Sequence, residues 1–542
     1  MRAALMRRAM AAPRISANYN PNFKTGNRLK TMPQIIVINY GSQVAHLINR
    51  RVRELGVFSE LVPYGITADE IISMKPKGII LSGGPASAYE SGVPQIDKSI
   101  FGIGIPILGI CYGLQLIGIA YGKVIPGMIK EYGKKELIVK SNGKLLKGLE
   151  KKEQIWMSHG DLVESLSKDF KILAKTDSCP IAAMENDAKK LYGLQFHPEV
   201  VHTLKGMQIL KNFIFGICKA SKDWNINLAS SLVREIKKEV GNKEVIMGTS
   251  GGVDSTVAAA LMNEAIKDRL HCVFIDHGML RKNEAEAVRK SFERMKFENL
   301  YFVDASSVFL NRLKDVADPE EKRKIIGHTF IEVFEKKVGE LEEKHPGIQF
   351  LGQGTIYPDR VESAQTSKES SKIKSHHNVT LPDKMKLKVI EPLKDLYKDE
   401  VRKLGNELRL PKDIIGRHPF PGPGLAIRIV GEITKERVEI LREADNIFME
   451  ELTKAGYYDK VWQALAALFP IKAVGVKGDA RTYEYIISLR AVTSIDAMTA
   501  DWARLPFGFL EKVSSRILNE VNGVNRVVYD ISQKPPATIE YE

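Results

Sequence analysis

No stretch of this 542-residue sequence approaches the roughly 18 consecutive apolar residues that a membrane-crossing helix needs. Its longest apolar runs are strand-like, such as residues 35–38 and 79–81, so no membrane span is expected. Cysteine is scarce as well. Cys111, Cys179, Cys218 and Cys272 are too few and too scattered for a disulfide framework, and no C-x-x-C pair points to zinc, which suits a reducing cytoplasm. Carboxylates are missing from the start: the first is Glu54, whereas Arg2, Arg7, Arg8, Arg14, Lys24, Arg28 and Lys30 all fall within residues 1–32. That basic leader is expected to be disordered and to lie outside the core, either as an organellar transit peptide or as an over-called start ahead of Met32. A Walker A pattern is absent, and no internal repeat is evident.

The length is enough for several hydrophobic cores, and 44% hydrophobic with 27% charged residues is the composition of globular protein. A formal charge of +14 suits either nucleic acid or small polyanions such as nucleotides. Basic runs such as Lys322–Lys324 sit inside helical patterns without interleaved aromatics, which favours small nucleotides and argues against a nucleic-acid partner.

From Gln34 onward, short β-branched runs alternate with helical patterns, and a second such series opens at residue 244. Alternation of this kind predicts parallel sheets. The expected fold is α/β: two parallel-sheet α/β domains, over 33–219 and 225–420, followed by a smaller α+β C-terminal domain over 421–542. The polar stretch from Ser363 to His377 has no apolar periodicity and reads as a mobile lid.

Cys111 stands in Gly109-Ile110-Cys111-Tyr112-Gly113, after a strand pattern and before a helical one. A lone cysteine in an α/β core is usually inert packing, but here small neighbours permit a strained turn and a helix N-terminus favours thiolate. His197 and Glu199, in Gln195-Phe196-His197-Pro198-Glu199, close an alternating strand pattern that puts both side chains on one face. The carboxylate can then orient the imidazole that takes the thiol proton. Ser82-Gly83-Gly84-Pro85 offers backbone N–H groups to an oxyanion. Together with Gln115 and residues 156–161 (WMSHGD), these segments resemble the class I glutamine amidotransferases. The resemblance implies that Cys111 forms a glutamyl thioester and releases ammonia, with the Gly84 and Tyr112 amides in the oxyanion hole.

The second series carries Ser250-Gly251-Gly252-Val253-Asp254-Ser255-Thr256 between a strand and a helix. Glycines that turn amides outward, hydroxyl donors and a helix N-terminus suit phosphate, and Asp254 suits magnesium. The form resembles the pyrophosphatase loop of enzymes that split ATP into AMP and pyrophosphate. With residues 321–327, 352–363, 373–378, 417–424 and 534–540, the chain resembles the single-chain, glutamine-hydrolysing GMP synthetases. That likeness implies xanthosine monophosphate (XMP), ATP and glutamine as substrates, Mg2+ with ATP, and a homodimer. It also implies Arg323, Arg526 and Lys534 as cations for the XMP phosphate, with Gln463, Ile539 and Glu540 beside them. Asp359, Glu362, Lys374, His376 and His377 are implied to act around adenylation. A glutamine-dependent NAD synthetase and a tRNA-thiolating enzyme share the ATP loop. The first lacks this Cys, His-x-Glu order, and the second wants a sulfur-carrying cysteine where only Cys272, inside a strand pattern, is present.

Overall fold

A computed structural model describes residues 32–542 apart from 43, 91, 201, 225–227, 360–386, 495–499 and 535. Residues 1–31, the expected lid and Glu362, Lys374, His376 and His377 therefore lie outside the described residues. The chain forms two compact units, Met1–Asn225 and Ile226–Glu542. No helix among the described residues is long and apolar enough to cross a membrane.

The first unit is built on a nine-stranded sheet ordered β2-β1-β3-β4-β9-β8-β7-β5-β6. The strands are β1 Ile35–Asn39, β2 Ser59–Pro63, β3 Gly78–Leu81, β4 Ile107–Ile110, β5 Gly122–Val139, β6 Lys152–Leu166, β7 Lys171–Lys175, β8 Ala183–Asn186 and β9 Leu191–Leu194. Only the β2-β1-β3-β4-β9 portion is parallel, and every pairing beyond β9 is antiparallel. The reason is connection length: β1 and β2 are followed by helices that return the chain for the next parallel strand, whereas β8 reaches β9 through a short turn that permits only a hairpin. Strands β1, β3, β4 and β9 are buried on both faces, so they read as unbroken apolar runs.

The second unit holds an all-parallel sheet ordered β12-β11-β10-β13-β14, with β10 Glu244–Gly248, β11 Leu270–Asp276, β12 Asn299–Asp304, β13 Ile348–Gly352 and β14 Lys388–Ile390. The order reverses at β10, and crevices beyond the carboxyl ends of strands at such a switch point are where α/β sheets bind ligands. A further sheet pairs β15 Gln463–Lys477, β16 Ala480–Thr493, β17 Asp501–Trp502 and β18 Val524–Tyr529. One apolar cluster runs from Ile246 and Val273 through Leu425 and Ile429 to Leu441, Ile487 and Val513, so both sheets of this unit share a core. Position 421, where the sequence pattern opens a third region, lies inside it.

Candidate active sites

Strand β4 delivers Cys111 to the N-terminus of the Tyr112–Tyr121 helix with φ +53° and ψ −104°, a backbone conformation that residues bearing a Cβ rarely adopt. The Cys111 N–H donates to the Leu194 carbonyl at 2.7 Å and the Gly113 N–H to the Ser82 carbonyl at 3.1 Å, which hold the turn. A Cβ on Gly109 would lie 2.5 Å from the Gly113 carbonyl carbon, and one on Gly113 would lie 2.4 Å from the Leu81 oxygen. Both glycines are steric requirements of the elbow. A Cβ on Gly83 would sit 3.2 Å from His197 Cε1, so the Ser82–Pro85 turn passes over the imidazole. Gly84 packs on the Tyr112 ring, where a Cβ would be 3.2 Å from Cγ, so the two residues expected to supply oxyanion donors are brought together.

His197 reaches Glu199 through a bend and not along a strand, which corrects the expected strand alternation: β9 ends at Leu194. In that bend His197 Nδ1 lies 2.7 Å from Glu199 Oε1, both side chains being buried. Bonds to three other residues fix it. The His197 N–H donates to the Trp156 carbonyl at 3.1 Å, Thr203 Oγ1 to the His197 carbonyl at 2.6 Å, and Arg51 Nε to the Glu199 carbonyl at 2.9 Å. Gln115 Nε2 donates to the Asp161 carbonyl at 3.0 Å, joining the nucleophile helix to β6. On β6, His159 lies with Nε2 3.1 Å from the buried Glu131 carboxylate, which also accepts from Thr176 at 2.9 Å and Ser178 at 2.6 Å. Arg51 and Glu131 carry no local sequence signal, because each acts on a partner far away in the chain.

Burial opposes the His197 imidazolium, but the Glu199 charge and the bond to Cys111 outweigh it and hold its pKa well above 6.5. A histidine raised in the folded state stabilises the fold fully below its unfolded pKa, and that contribution is lost as pH rises through the folded value. Glu199→Gln should therefore destabilise the first unit by about 1.5–3 kcal/mol at acidic to neutral pH. Melting temperatures measured against pH should show the gap to wild type closing under alkaline conditions. A gap independent of pH would contradict the charge interaction.

In the second unit, the loop from Thr249 to Gly252 follows β10 into the Val253–Ile266 helix, at the switch point of the parallel sheet. Gly251 has φ +72°, and a Cβ there would lie 2.4 Å from Val288. The Ser250 and Ser255 hydroxyls are 3.0 Å apart, and the Gly252 N–H turns to Ser250 Oγ at 3.3 Å. Arg417 Nη1 donates to the Gly251 carbonyl at 3.0 Å, adding a cation to the loop. Lys398 Nζ lies 3.4 Å from Asp254 Oδ2, while Asp254 Oδ1 is buried without a hydrogen-bond partner among the described residues. Thr256 is buried on the helix's inner side and Val253 at its start. Asp359 accepts from the Ile356 N–H at 3.0 Å.

Strand register places two of the expected XMP residues, Gln463 and Arg526, on one face of the other sheet. Gln463 pairs Val492, Leu465 pairs Arg490, Ala467 pairs Ser488, and on the other side Ser488 pairs Val528 and Ile486 pairs Arg526. Gln463, Arg490, Ser488 and Arg526 therefore share a face, and the alternate residues Ala466, Leu468, Ile487 and Leu489 enter the core. Across that face runs the C-terminal tail. Arg490, fully buried, donates to the carbonyls of Ser532, Thr538 and Ile539 at 3.1, 2.9 and 3.0 Å. Gln463 Nε2 donates to Glu540 at 2.6 Å, and Arg428 clamps both Glu540 oxygens at 2.9 Å. Arg323 and Lys322 both bond Glu542, the first at its carbonyl and the second at its side chain. Lys534 exchanges backbone bonds with Ala500 at 2.8 and 3.0 Å. Arg428 and Arg490 were not expected at this site. A charge inside the apolar run Leu425–Val430 is the signal that marks Arg428 as a buried ion-pair partner.

Three families match the chain: glutamine amidotransferase class-I over residues 36–217, NAD synthase over 225–324, and GMP synthase C terminal domain over 450–541. The NAD synthase match runs from the Leu228–Val240 helix and β10 through the ATP loop into the Pro319–Lys344 helix. Among curated relatives, GMP synthase (glutamine-hydrolyzing) of Aquifex aeolicus is 56% identical over 94% of this chain and 99% of its own length. Proteins of the same name from Carboxydothermus hydrogenoformans and Fusobacterium nucleatum subsp. nucleatum are each 54% identical, with the same 94% and 99% coverage. Identity above one half along nearly the whole length, with a cysteine elbow and an ATP loop in one chain, makes this protein a member of the glutamine-hydrolysing GMP synthase family.

Proposed function

We propose that this chain makes GMP from XMP, ATP and glutamine. The observation that carries the reading is the Cys111 elbow beside the His197–Glu199 pair, in the same chain as a loop suited to splitting ATP. The Cys111 sulfur attacks the glutamine carboxamide, His197 takes the thiol proton and passes it to the departing ammonia, and Glu199 stabilises the imidazolium between those steps. The Gly84 and Tyr112 amides receive the developing oxyanion. Water then hydrolyses the thioester to glutamate.

In the second unit, the XMP carbonyl oxygen attacks the α-phosphorus of ATP, pyrophosphate leaves, and ammonia displaces AMP to give GMP. Ser250, Ser255 and the loop amides hold the departing pyrophosphate, with Arg417 and Lys398 adding positive charge. The orphaned buried oxygen of Asp254 fits a magnesium ligand. Bound with ATP, Mg2+ would neutralise pyrophosphate charge. Arg323, Arg526 and Lys534 serve the XMP phosphate.

Exposed Val474, Val476 and Tyr483 lie on the β15–β16 hairpin, with Val474 paired to Tyr483. A second copy of the chain covers this apolar patch in a two-fold homodimer. Four free cysteines suit a cytoplasmic enzyme.

Purified protein supplied with XMP, ATP, Mg2+ and glutamine should yield GMP, AMP and pyrophosphate in equal amounts. Absence of GMP, or formation of ADP, would refute the reading. Lys534→Ala should raise the KM for XMP roughly tenfold, the worth of one charge-assisted contact. Steady-state kinetics with XMP varied test this, and an unchanged KM removes Lys534 from the site.

A further inference from the structure

The end of β10 remote from the ATP loop carries a cluster that the proposed reaction does not use. Glu244 opens β10, His271 lies early on β11, and His345 follows the Pro319–Lys344 helix. His271 Nε2 is 2.7 Å and His345 Nδ1 is 3.7 Å from the same Glu244 oxygen. All three donor atoms lie within 4.8 Å of one another. Tetrahedral zinc with bonds of about 2.0–2.1 Å needs donors roughly 3.3 Å apart, so the cluster is already near that spacing.

Two further observations describe a built site. Tyr301 OH lies 3.2 Å from His271 Nδ1. A hydroxyl can donate to that nitrogen when Nε2 carries the proton, or accept from it when Nε2 gives its lone pair to a metal. On the other side, a Cβ at Gly347 would lie 2.6 Å from Glu244 Oε1, so glycine leaves room for the carboxylate, and the Glu244 N–H is tied to the Gly347 carbonyl at 2.8 Å.

We propose that Glu244, His271 and His345 bind one divalent transition-metal ion of the zinc type, with water in the fourth position. Two imidazoles and one carboxylate select zinc over magnesium, which prefers oxygen throughout. The site ties the starts of β10 and β11 to the segment entering β13. It stands roughly 16 Å along β10 from the ATP loop, so it is separate from any magnesium held with ATP.

The full-length protein, stripped of metal with a chelator, is titrated with Zn2+ by calorimetry and with Co2+ by absorption spectroscopy. His345→Gln removes a half-exposed ligand outside the core, and Glu244→Gln is the second variant. Each should lose one bound equivalent, or bind it at least about tenfold more weakly, than wild type. The lost Co2+ equivalent should show visible ligand-field bands without thiolate charge transfer, which separates it from binding at Cys111 or Cys179. Unchanged stoichiometry and affinity in both variants overturn the proposal. A thiolate spectrum for the lost equivalent overturns it as well. Neither readout depends on GMP formation, so failure here leaves the proposed reaction untouched.

Discussion

Cys111→Ala should lower glutamine-dependent GMP formation by about 10³-fold or more while formation from added ammonium salts stays at the wild-type level. The size of the loss follows from the chemistry: without sulfur no thioester forms, and no other nucleophile stands at the elbow. His197 and Glu199 would remain in place, since their geometry rests on Trp156, Thr203 and Arg51 and not on the thiol. The ammonia-driven reaction is spared because the ATP loop, Arg323 and the C-terminal tail all belong to the other compact unit. Parallel assays with glutamine and with ammonium chloride test this. Equal loss of both activities in a folded variant would sink the assignment of two separable sites.

Arg428→Ala should destabilise the second unit by about 3–5 kcal/mol and sharply raise the KM for XMP. Arg428 is fully buried, and burial disfavours its charge, but Glu540 and Asp445 more than compensate and hold it protonated. Removing the guanidinium takes from the buried Asp445 a charge 3.6 Å away, leaving Arg281 Nε at 3.0 Å as its ion-pair partner, and frees Glu540 from its bidentate clamp. The cost arises because Glu540 and Asp445 both lose a cation and keep only Gln463 and Arg281 respectively, and it exceeds any net benefit of the intact pair. Arg428→Lys should recover only part of the loss, because an ammonium cannot match both Glu540 oxygens at once. Thermal melts and XMP kinetics read the two effects, and basal glutaminase serves as an internal control. An unaltered melting temperature with unaltered XMP kinetics would show that the Arg428–Glu540 contact does not organise the tail.

What could be read from the sequence was chemistry set by neighbours in the chain. The Gly109–Gly113 elbow, the His197–Glu199 pair and the Ser250–Ser255 loop are short segments in which backbone geometry places the reacting atoms, so residue type and spacing were enough. Parallel strands announced themselves as doubly buried apolar runs. The alternation up to His197 predicts a strand there, but β9 ends at Leu194, and a turn that brings residues two apart together looks the same in one dimension. The antiparallel half of the first sheet was hidden because β5 and β6 are long and mixed in polarity.

The sequence by itself determined the two chemistries and the order in which the chain presents them. Only the tertiary structure decided which distant residues hold those sites in shape: Arg51 on Glu199, Thr203 on Trp156, Glu131 under His159, Arg428 and Arg490 on the tail, and Glu244 with His271 and His345. The physical reason is that a buried charge can be satisfied by any partner the fold brings within about 3 Å, however far off in sequence. Composition says that such a charge needs a partner, and only packing says which one it has.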